Sequence, residues 1–370
     1  MAIVQTVITV LLFFLVLGVL VLVHEIGHFV TARLANVRVL EFGIGFPPRA
    51  KVLRSKGETL YTLNWLPIGG FVKLEGEDGD EAGDPRSFSS QSLPMRLWIL
   101  VAGVLMNVIL AFVIFTGIAW FASPYVGLTV YEVVPDSPAA TAGIEPGDGI
   151  VGVDGERYQF LMPGNVLDAL RSRPGETITL TVDGTDGTRR DVEVTLRSQA
   201  EIDAGQGALG IQRAEAGWEA YWYGEYAQND IGTAVGTGWT HLTGALGLIL
   251  GGLGTLVGSV AADPTAPPPV AGPVGIATQL GDIFWNAGPI LTLYVAGILS
   301  ANLALVNILP FPPLDGGRML MITLKRLFGS RISLRAEQLT YMVGFVFLFA
   351  FLIWVTGFDI IRGLGGAPAP

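Results

Sequence analysis

Long stretches of apolar residues place the strictest limit on how this chain can fold. The first stretch, Ile3–Val23, contains no charged residue. As a helix it would be long enough to cross about 30 Å of hydrocarbon. A signal peptide is the alternative, but no Lys or Arg precedes the stretch and no small-residue cleavage site follows it. We therefore predict a membrane span here, and three more at Leu97–Phe121, about Ile290–Leu309 and Met342–Ile361.

The composition agrees with a membrane protein. Hydrophobic residues make up 51% of the 370 residues and charged residues only 15%, whereas soluble domains carry about a quarter charged residues. The formal net charge of -10, without a compensating basic stripe, argues against nucleic acid as a partner. The chain has no cysteine, which excludes disulfides and thiolate metal sites.

Between the second and third spans the character of the chain changes twice. A polar block, Pro124–Asp230, predicts a water-exposed domain, and the apolar stretch Ala234–Ala262 is rich in glycine. We expect that stretch to associate with the membrane without crossing it alone. The predicted divisions are an N-terminal membrane core at 1–123, a soluble domain at 124–200, a connecting region at 201–288 and a C-terminal membrane core at 289–370.

The distribution of basic residues predicts the orientation. Cytoplasmic loops of membrane proteins are enriched in Lys and Arg. Here the basic residues concentrate in 29–96 and 310–340, and all four lysines lie in these two segments, namely Lys51, Lys56, Lys73 and Lys325. Both segments should therefore face the cytoplasm, with the acidic polar block on the outside.

The motif HEIGH follows the first apolar stretch directly. On a helix, His24 and His28 are four residues apart and share one face, so both imidazoles can reach one metal ion. Glu25 stands beside them, where it could take a proton from an attacking water. Two histidines and a carboxylate at the end of a membrane helix are costly unless they have a function. A chance pairing of histidines is the alternative.

A zinc site with an open position needs a third protein ligand, and two residues are candidates. His241 is the remaining histidine, and Asp315 lies in NILPFPPLDGGR just after the third apolar stretch. Prolines at membrane depth are tolerated only inside protein or beside water. With the predicted membrane crossings, Asp315 lies at the same cytoplasmic face as His24, whereas His241 lies outside. The topology therefore favours Asp315, with a structural or interfacial role for His241.

Together these motifs resemble the site-2 protease family of intramembrane metalloproteases, in particular the bacterial regulator-of-sigma-E group with an inserted PDZ domain. The resemblance covers nearly the whole chain. The soluble block resembles a PDZ domain through VVPDSPAATAGIEPGDGIVGVDG. The family usually has proline at the position of Val104. The other matching segments are EFGIGFPP at 41–48, LPIGGFVKL at 66–74, AGVLMN at 102–107 and AGPVGIA at 271–277.

The resemblance implies a role for each matching residue. It implies zinc ligands at His24, His28 and Asp315 and a catalytic acid/base at Glu25. It also implies that Asn307 contacts substrate or stabilises the oxyanion, and that a membrane-entering β-hairpin binds the unwound substrate as an added strand. The substrate-contacting residues of that hairpin would be Gly43, Gly69, Gly70, Phe71 and Val72.

The predicted fold is a polytopic α-helical membrane protein of about four transmembrane helices, with the β-hairpin and an extracytoplasmic PDZ-like α/β domain. The predicted function is zinc-dependent intramembrane proteolysis of single-span membrane proteins, such as an anti-sigma factor or signal-peptide remnants. The expected location is the bacterial cytoplasmic membrane, with the active site near the cytoplasmic face. The PDZ-like domain could bind a peptide. A non-catalytic PDZ scaffold and a zinc-binding transporter are the alternatives.

Overall fold

The computed structural model describes residues 2–55, 57–77, 84–212, 220–263, 266–329 and 333–364. Lys56, one of the basic residues used above, lies outside these ranges. The chain divides into two compact units. The helical unit comprises Met1–Phe115 and Trp239–Pro370, and the β-rich unit comprises Thr116–Gly238. Each unit is described by itself.

Long apolar helices dominate the helical unit. In chain order the helices that contribute to it are α1 (Ala2–Leu34), α2 (Leu93–Phe121), α6 (Ile231–Ala262), α7 (Pro273–Ala287), α8 (Pro289–Asn307), α9 (Asp315–Phe328) and α10 (Leu334–Leu364). The four predicted apolar spans are confirmed as helices α1, α2, α8 and α10.

Within the described residues, five helices are long and apolar enough to cross a membrane. The fifth is α6, a continuous helix over the glycine-rich stretch for which we predicted no independent crossing. Its residues Leu242 and Ala245 pack against α2 and α8. The architecture is that of a polytopic membrane protein, and the number of crossings stays a prediction.

Two long strands, β1 (Val39–Arg54) and β2 (Leu60–Leu74), form an antiparallel hairpin between α1 and α2. Both strands bend, so each pairs twice. Residues 39–44 of β1 lie between 70–74 and 60–63 of β2, while 49–54 of β1 pair on the far side of 61–64. The result is a small curled sheet with 70–74 at one edge and 49–54 at the other.

The β-rich unit contains a five-stranded antiparallel sheet in the order β7-β6-β5-β3-β9 and a small β4–β8 ribbon. The predicted 124–200 domain falls within this longer unit, because β9 completes the sheet by pairing with β3. Its elements are β3 (Ser123–Thr129), β4 (Glu132–Val133), α3 (Pro138–Thr141), β5 (Gly149–Val153), α4 (Val166–Arg171), β6 (Thr177–Asp183), β7 (Arg189–Thr195), α5 (Gln199–Asp203), β8 (Ile211–Gln212) and β9 (Ala220–Ala227).

Local sequence signals account for the small helices of this unit. Ser137 caps α3 by accepting from the Ala140 amide, and Asn165 caps α4 by accepting from the Asp168 amide. The strands β6 and β7 form an antiparallel hairpin around the turn DGTDG. Alternate residues of β6 are buried, which is the period of a strand with one core face. The core includes Ile150, Val153, Leu180 and Val182.

In the helical unit, the AGPVGIA segment begins α7, and a buried carboxylate holds it in place. Asp359 of α10 accepts hydrogen bonds from the Gly272 amide at 3.1 Å and the Gly275 amide at 2.8 Å. These amides lie at the start of α7, where backbone N–H groups lack helical partners and the helix dipole favours an anion. A Cβ on Gly272 would lie 2.7 Å from Asp359 Oδ2. The segment therefore requires glycine here because the carboxylate occupies the space.

We expect Asp359→Asn to destabilise the helical unit by about 1–3 kcal/mol, since hydrogen bonds to a charged acceptor contribute about that much. Thermal unfolding of the detergent-solubilised protein measures the effect. Asp282→Asn, at an exposed position on α7, is the matched control and should leave the midpoint unchanged. Equal midpoints for Asp359→Asn and wild type would contradict a capping role.

Candidate metal centre

The two histidines of HEIGH lie on one face of α1 and are buried. His24 and His28 expose 5% and 8% of their surface, and their Nε2 atoms lie 3.1 Å apart. One helical turn separates them, so a regular helix needs no distortion to bring the two nitrogens together. The four-residue spacing alone therefore brings the two imidazoles together.

Asp315 brings the third donor atom. Its Oδ2 lies 2.9 Å from His24 Nε2 and 3.3 Å from His28 Nε2. Asp315 is the first residue of α9, directly after the proline-rich turn that follows α8. That turn is tight: a Cβ on Gly316 would lie 2.1 Å from the Ile308 carbonyl oxygen. The glycines after Asp315 thus allow the turn to fold back against α9.

His241 lies elsewhere in the helical unit. Its Nδ1 is 3.0 Å from the Tyr294 hydroxyl, and its ring lies against Phe115. It therefore contributes to the packing of α6 against α8 and α2. Of the two candidate third ligands, only Asp315 is within reach of His24 and His28 in the residues that the structure describes.

Glycines allow α2 to approach the histidines closely. A Cβ on Gly27 would lie 2.4 Å from the Ala102 carbonyl oxygen, and a Cβ on Gly103 would lie 2.4 Å from His28 Nε2 and 2.8 Å from His24 Cε1. Small residues of this kind let membrane helices pack with their backbones in contact. The imidazoles are therefore enclosed by the α2 backbone.

A group of α2 contacts the Nδ1 atom of each imidazole. His28 Nδ1 lies 2.8 Å from the Ile99 carbonyl oxygen, to which it can only donate. Its hydrogen is then on Nδ1, which leaves the Nε2 lone pair free. His24 Nδ1 lies 3.4 Å from the side-chain amide of Asn107, which is fully buried. Sequence reasoning assigned no role to Ile99, Gly103 or Asn107, although the last two lie in the matching segment AGVLMN. Their four-residue spacing on α2 was the available signal.

Glu25 lies next to the three candidate metal ligands but is not one of them. Its carboxylate interacts with His28, Asp315 and the Val72 backbone amide. A Cβ on Gly70 would lie 3.6 Å from Glu25 Cγ. The predicted hairpin segment therefore passes beside Glu25, with Gly70, Phe71 and Val72 in the edge strand.

The charged groups around Asp315 favour its ionised form. Burial alone would raise the pKa of the Asp315 carboxyl, but its interactions with His24 and His28 outweigh burial and lower the pKa. One turn further along α9, Arg318 forms an ion pair with Glu77. Burial by itself would lower the pKa of Arg318, but Glu77 and Asp315 raise it above its usual value. Asp315 is thus available as an anionic ligand.

The arrangement fits a zinc ion. The three donor-to-donor distances are 2.9, 3.1 and 3.3 Å. Two ligands of a tetrahedral zinc with bonds of 2.0–2.1 Å lie about 3.3 Å apart. Two neutral imidazoles and one carboxylate are also a ligand set found at catalytic zinc, where the fourth position stays open. The geometry and the chemistry of the donors agree.

The other residues predicted to contact substrate lie in the curled sheet and at the end of α8. Gly69 lies at the start of the edge segment with φ +73, a conformation that favours glycine. Gly43 is in an inner strand and pairs with both Phe71 and Thr62. Asn307 is the last residue of α8 and is half-buried. The structure describes these positions, and their substrate contacts stay predictions.

Comparison with known proteins agrees with the geometry. Residues 12–351 match the model of peptidase family M50. A relative from Clostridium perfringens, whose name describes a zinc metalloprotease, is 32% identical over 94% of this chain and 97% of its own length. The zinc metalloprotease RasP of Geobacillus kaustophilus is 27% identical over 96% of this chain and 99% of its own. This chain therefore belongs to peptidase family M50, the site-2 proteases, and is a zinc-dependent intramembrane protease.

Proposed function

We propose that His24, His28 and Asp315 hold the zinc ion and that Glu25 is the catalytic acid/base in cleaving single-span membrane proteins. One observation carries this assignment. Three donor atoms from two distant parts of the chain meet within 4.8 Å of one another, and Glu25 stands beside them. Chance placement of two buried imidazoles and a half-buried carboxylate beside apolar helices is unfavourable.

The residues divide the chemistry between them. Zinc supplies Lewis-acid chemistry that makes water nucleophilic near neutral pH. Glu25 takes the proton from the attacking water, and the oxygen bonds to the peptide carbonyl carbon. The same carboxyl then gives the proton to the leaving amide nitrogen as the C–N bond breaks. Glu25 follows a ligand directly in sequence, so its side chain points away from the coordinating face.

The edge of the curled sheet is the proposed docking position for the substrate. In the part of the chain that the structure describes, residues 70–74 pair with a strand on one side only, and the Leu74 amide donates to the Glu77 carboxylate, which leaves residues 70–73 for a further strand. An unwound substrate segment added here would run beside Glu25. Main-chain hydrogen bonds would supply affinity with little dependence on side chains. Unwinding is necessary because helical carbonyls are already bonded within the helix.

Gly43 and Asn307 support this position in different ways. A Cβ on Gly43 would lie 2.3 Å from the Phe71 ring, so glycine is needed for Phe71 to lie over the inner strand. Gly43 would thus act on the substrate through Phe71. Asn307 ends α8 eight residues before Asp315, and its amide is a suitable donor for a developing oxyanion.

Exposed apolar side chains support entry of the hairpin into the membrane. These side chains lie on both strands of a sheet next to a membrane helix, where contact with lipid would remove them from water. They are Ile44, Phe46, Val52, Leu53, Leu63, Trp65 and Leu66. With the basic residues of 29–96 on the cytoplasmic side, the active site would lie near the cytoplasmic face of the bacterial inner membrane.

We assign the β-rich unit a PDZ-like regulatory role outside the membrane. Its antiparallel sheet and short capped helices are compatible with the PDZ-like sequence signature. A peptide could add to this unit, and trimmed anti-sigma factors or signal-peptide remnants would be the substrates. This substrate class follows from the resemblance of the chain to regulator-of-sigma-E proteases.

Zinc content tests the ligand assignment. We expect one zinc per chain in the purified protein and large loss of zinc in His24→Ala and Asp315→Ala, because each removes one of three donors. His241→Ala is the matched control and should keep its zinc. Metal analysis after dialysis against a chelator gives the result. Full zinc retention in Asp315→Ala would exclude it as a ligand.

Glu25→Gln separates chemistry from metal binding. Glutamine preserves the size of the side chain but cannot accept a proton as a base near neutral pH. We expect turnover of a model transmembrane substrate to fall by about 10²–10⁴-fold, the usual contribution of general acid–base catalysis, while zinc content is unchanged. Turnover and zinc must be measured on the same preparation. Loss of zinc would instead give Glu25 a structural role.

The edge-strand assignment predicts a specific effect of proline. In a Glu25→Gln background, where no cleavage follows, Val72→Pro removes one amide N–H of the edge segment, and we expect binding of a model transmembrane substrate to weaken at least about fivefold, since one backbone hydrogen bond contributes about 1 kcal/mol. Val52→Pro, on the opposite edge of the same sheet, is the matched control and should have a much smaller effect. Equal losses in the two variants would place the substrate elsewhere.

A further inference from the structure

Helix α2 lies behind both imidazoles and contacts each in turn. The Ile99 carbonyl faces His28, the Asn107 side chain faces His24, and Gly103 lies midway between them against both rings. Residues 99, 103 and 107 are four apart and form one stripe on α2. This stripe matches the four-residue spacing of the histidines on α1. For His28 the contact fixes the ring, which raises the question of what Asn107 does for His24.

The chemistry of zinc binding determines which end of the amide can face His24. An imidazole that binds a metal through Nε2 carries its hydrogen on Nδ1 and needs an acceptor there. The Asn107 Nδ2 atom lies 3.4 Å from His24 Nδ1, which suits only a ring whose hydrogen is on Nε2. The Asn107 Oδ1 atom is buried and has no hydrogen-bond partner among the described residues. Rotation of the Asn107 side-chain amide by 180° exchanges Oδ1 and Nδ2. It therefore breaks no hydrogen bond of Oδ1 and places this acceptor against His24 Nδ1.

We infer that Asn107 is a positioning residue for the metal centre: its side-chain oxygen accepts the Nδ1–H of His24 and so directs Nε2 at zinc. The juxtaposition of a fully buried amide with the rear nitrogen of a metal-binding histidine carries the inference. It rests on the proposed assignment of His24 as a zinc ligand. Groups behind a ligating histidine fix its orientation and raise its basicity, and their loss lowers metal affinity by about 10–100-fold.

The surroundings hold Asn107 in place. Its backbone carbonyl accepts a hydrogen bond of 2.8 Å from the Ser300 hydroxyl of α8, and Ser300 is also fully buried. Helix α8 leads to Asn307 and the turn before Asp315. Asn107 thus joins the helix that carries His24 to the helix that precedes the third ligand. Its backbone provides the structural connection, while its side chain provides the contact with His24.

Two substitutions distinguish an acceptor from a donor or a mere space-filler. Asn107→Asp presents only acceptor oxygens to His24, and Asn107→Leu has a similar size but no hydrogen-bonding group. Zinc affinity of the full-length protein in detergent, measured by competition with a chelator, is the readout. We expect Asn107→Leu to lose about 10–100-fold in affinity and Asn107→Asp to keep affinity within a few-fold of wild type. Met106→Leu, a neighbouring change on α2, controls for disturbance of the helix.

Every combination of results decides the question. Wild-type affinity in Asn107→Leu overturns the inference, and so does an equal loss in Asn107→Leu and Asn107→Asp. If Asn107→Leu does not fold, as judged by elution and thermal unfolding of the zinc-free protein, Asn107→Ala takes its place. His24→Ala separates the assignment of His24 as a zinc ligand from the role of Asn107. Zinc retention in His24→Ala would overturn the ligand assignment itself, whereas zinc loss there with normal affinity in Asn107→Leu overturns only the role of Asn107.

Discussion

The enclosure of two buried imidazoles and a half-buried carboxylate by the surrounding helices is the constraint on which the rest of the helical unit depends. Polar groups in such surroundings are unfavourable unless each has a partner. Here each of the three candidate metal-ligating atoms faces the other two, and the Nδ1 atom of each imidazole faces a group of α2. Helices α1, α2 and α9 must therefore come together with little tolerance, and the glycines at 27, 103 and 316 make this close packing possible.

In the proposed docking of the substrate, the curled sheet connects this centre with the substrate. Its core side packs through Val39 and Leu74 into the same apolar cluster as Ile99 of α2 and Ile322 of α9. One edge passes beside Glu25, and apolar side chains of both strands are exposed. A sheet edge is normally a liability because its unpaired backbone groups invite another strand. In an intramembrane protease the same property is useful, since the substrate must be held in an extended form before hydrolysis.

Prediction from sequence succeeded where the information is local. Membrane helices followed from runs of apolar residues, each of which the chain expresses within one segment. The ligand pair followed from a spacing of four residues on one helix. Asp315 was one of two candidates from the residues alone, and counting membrane crossings favoured it. The double pairing of Gly43 and the contacts of Asn107 could not be predicted, because each joins segments that are distant in sequence.

The sequence by itself determined the membrane character of the chain, the facing pair His24 and His28, and the resemblance that led to the family. These features depend on composition and helical periodicity, which a single segment expresses without the rest of the fold. The tertiary structure decided that Asp315 rather than His241 joins the pair, that residues 70–74 form an edge segment of the curled sheet beside Glu25, and that α2 contacts both imidazoles. Those relations depend on how bent strands pair and how closely helices approach, and such distances arise only when distant segments pack together.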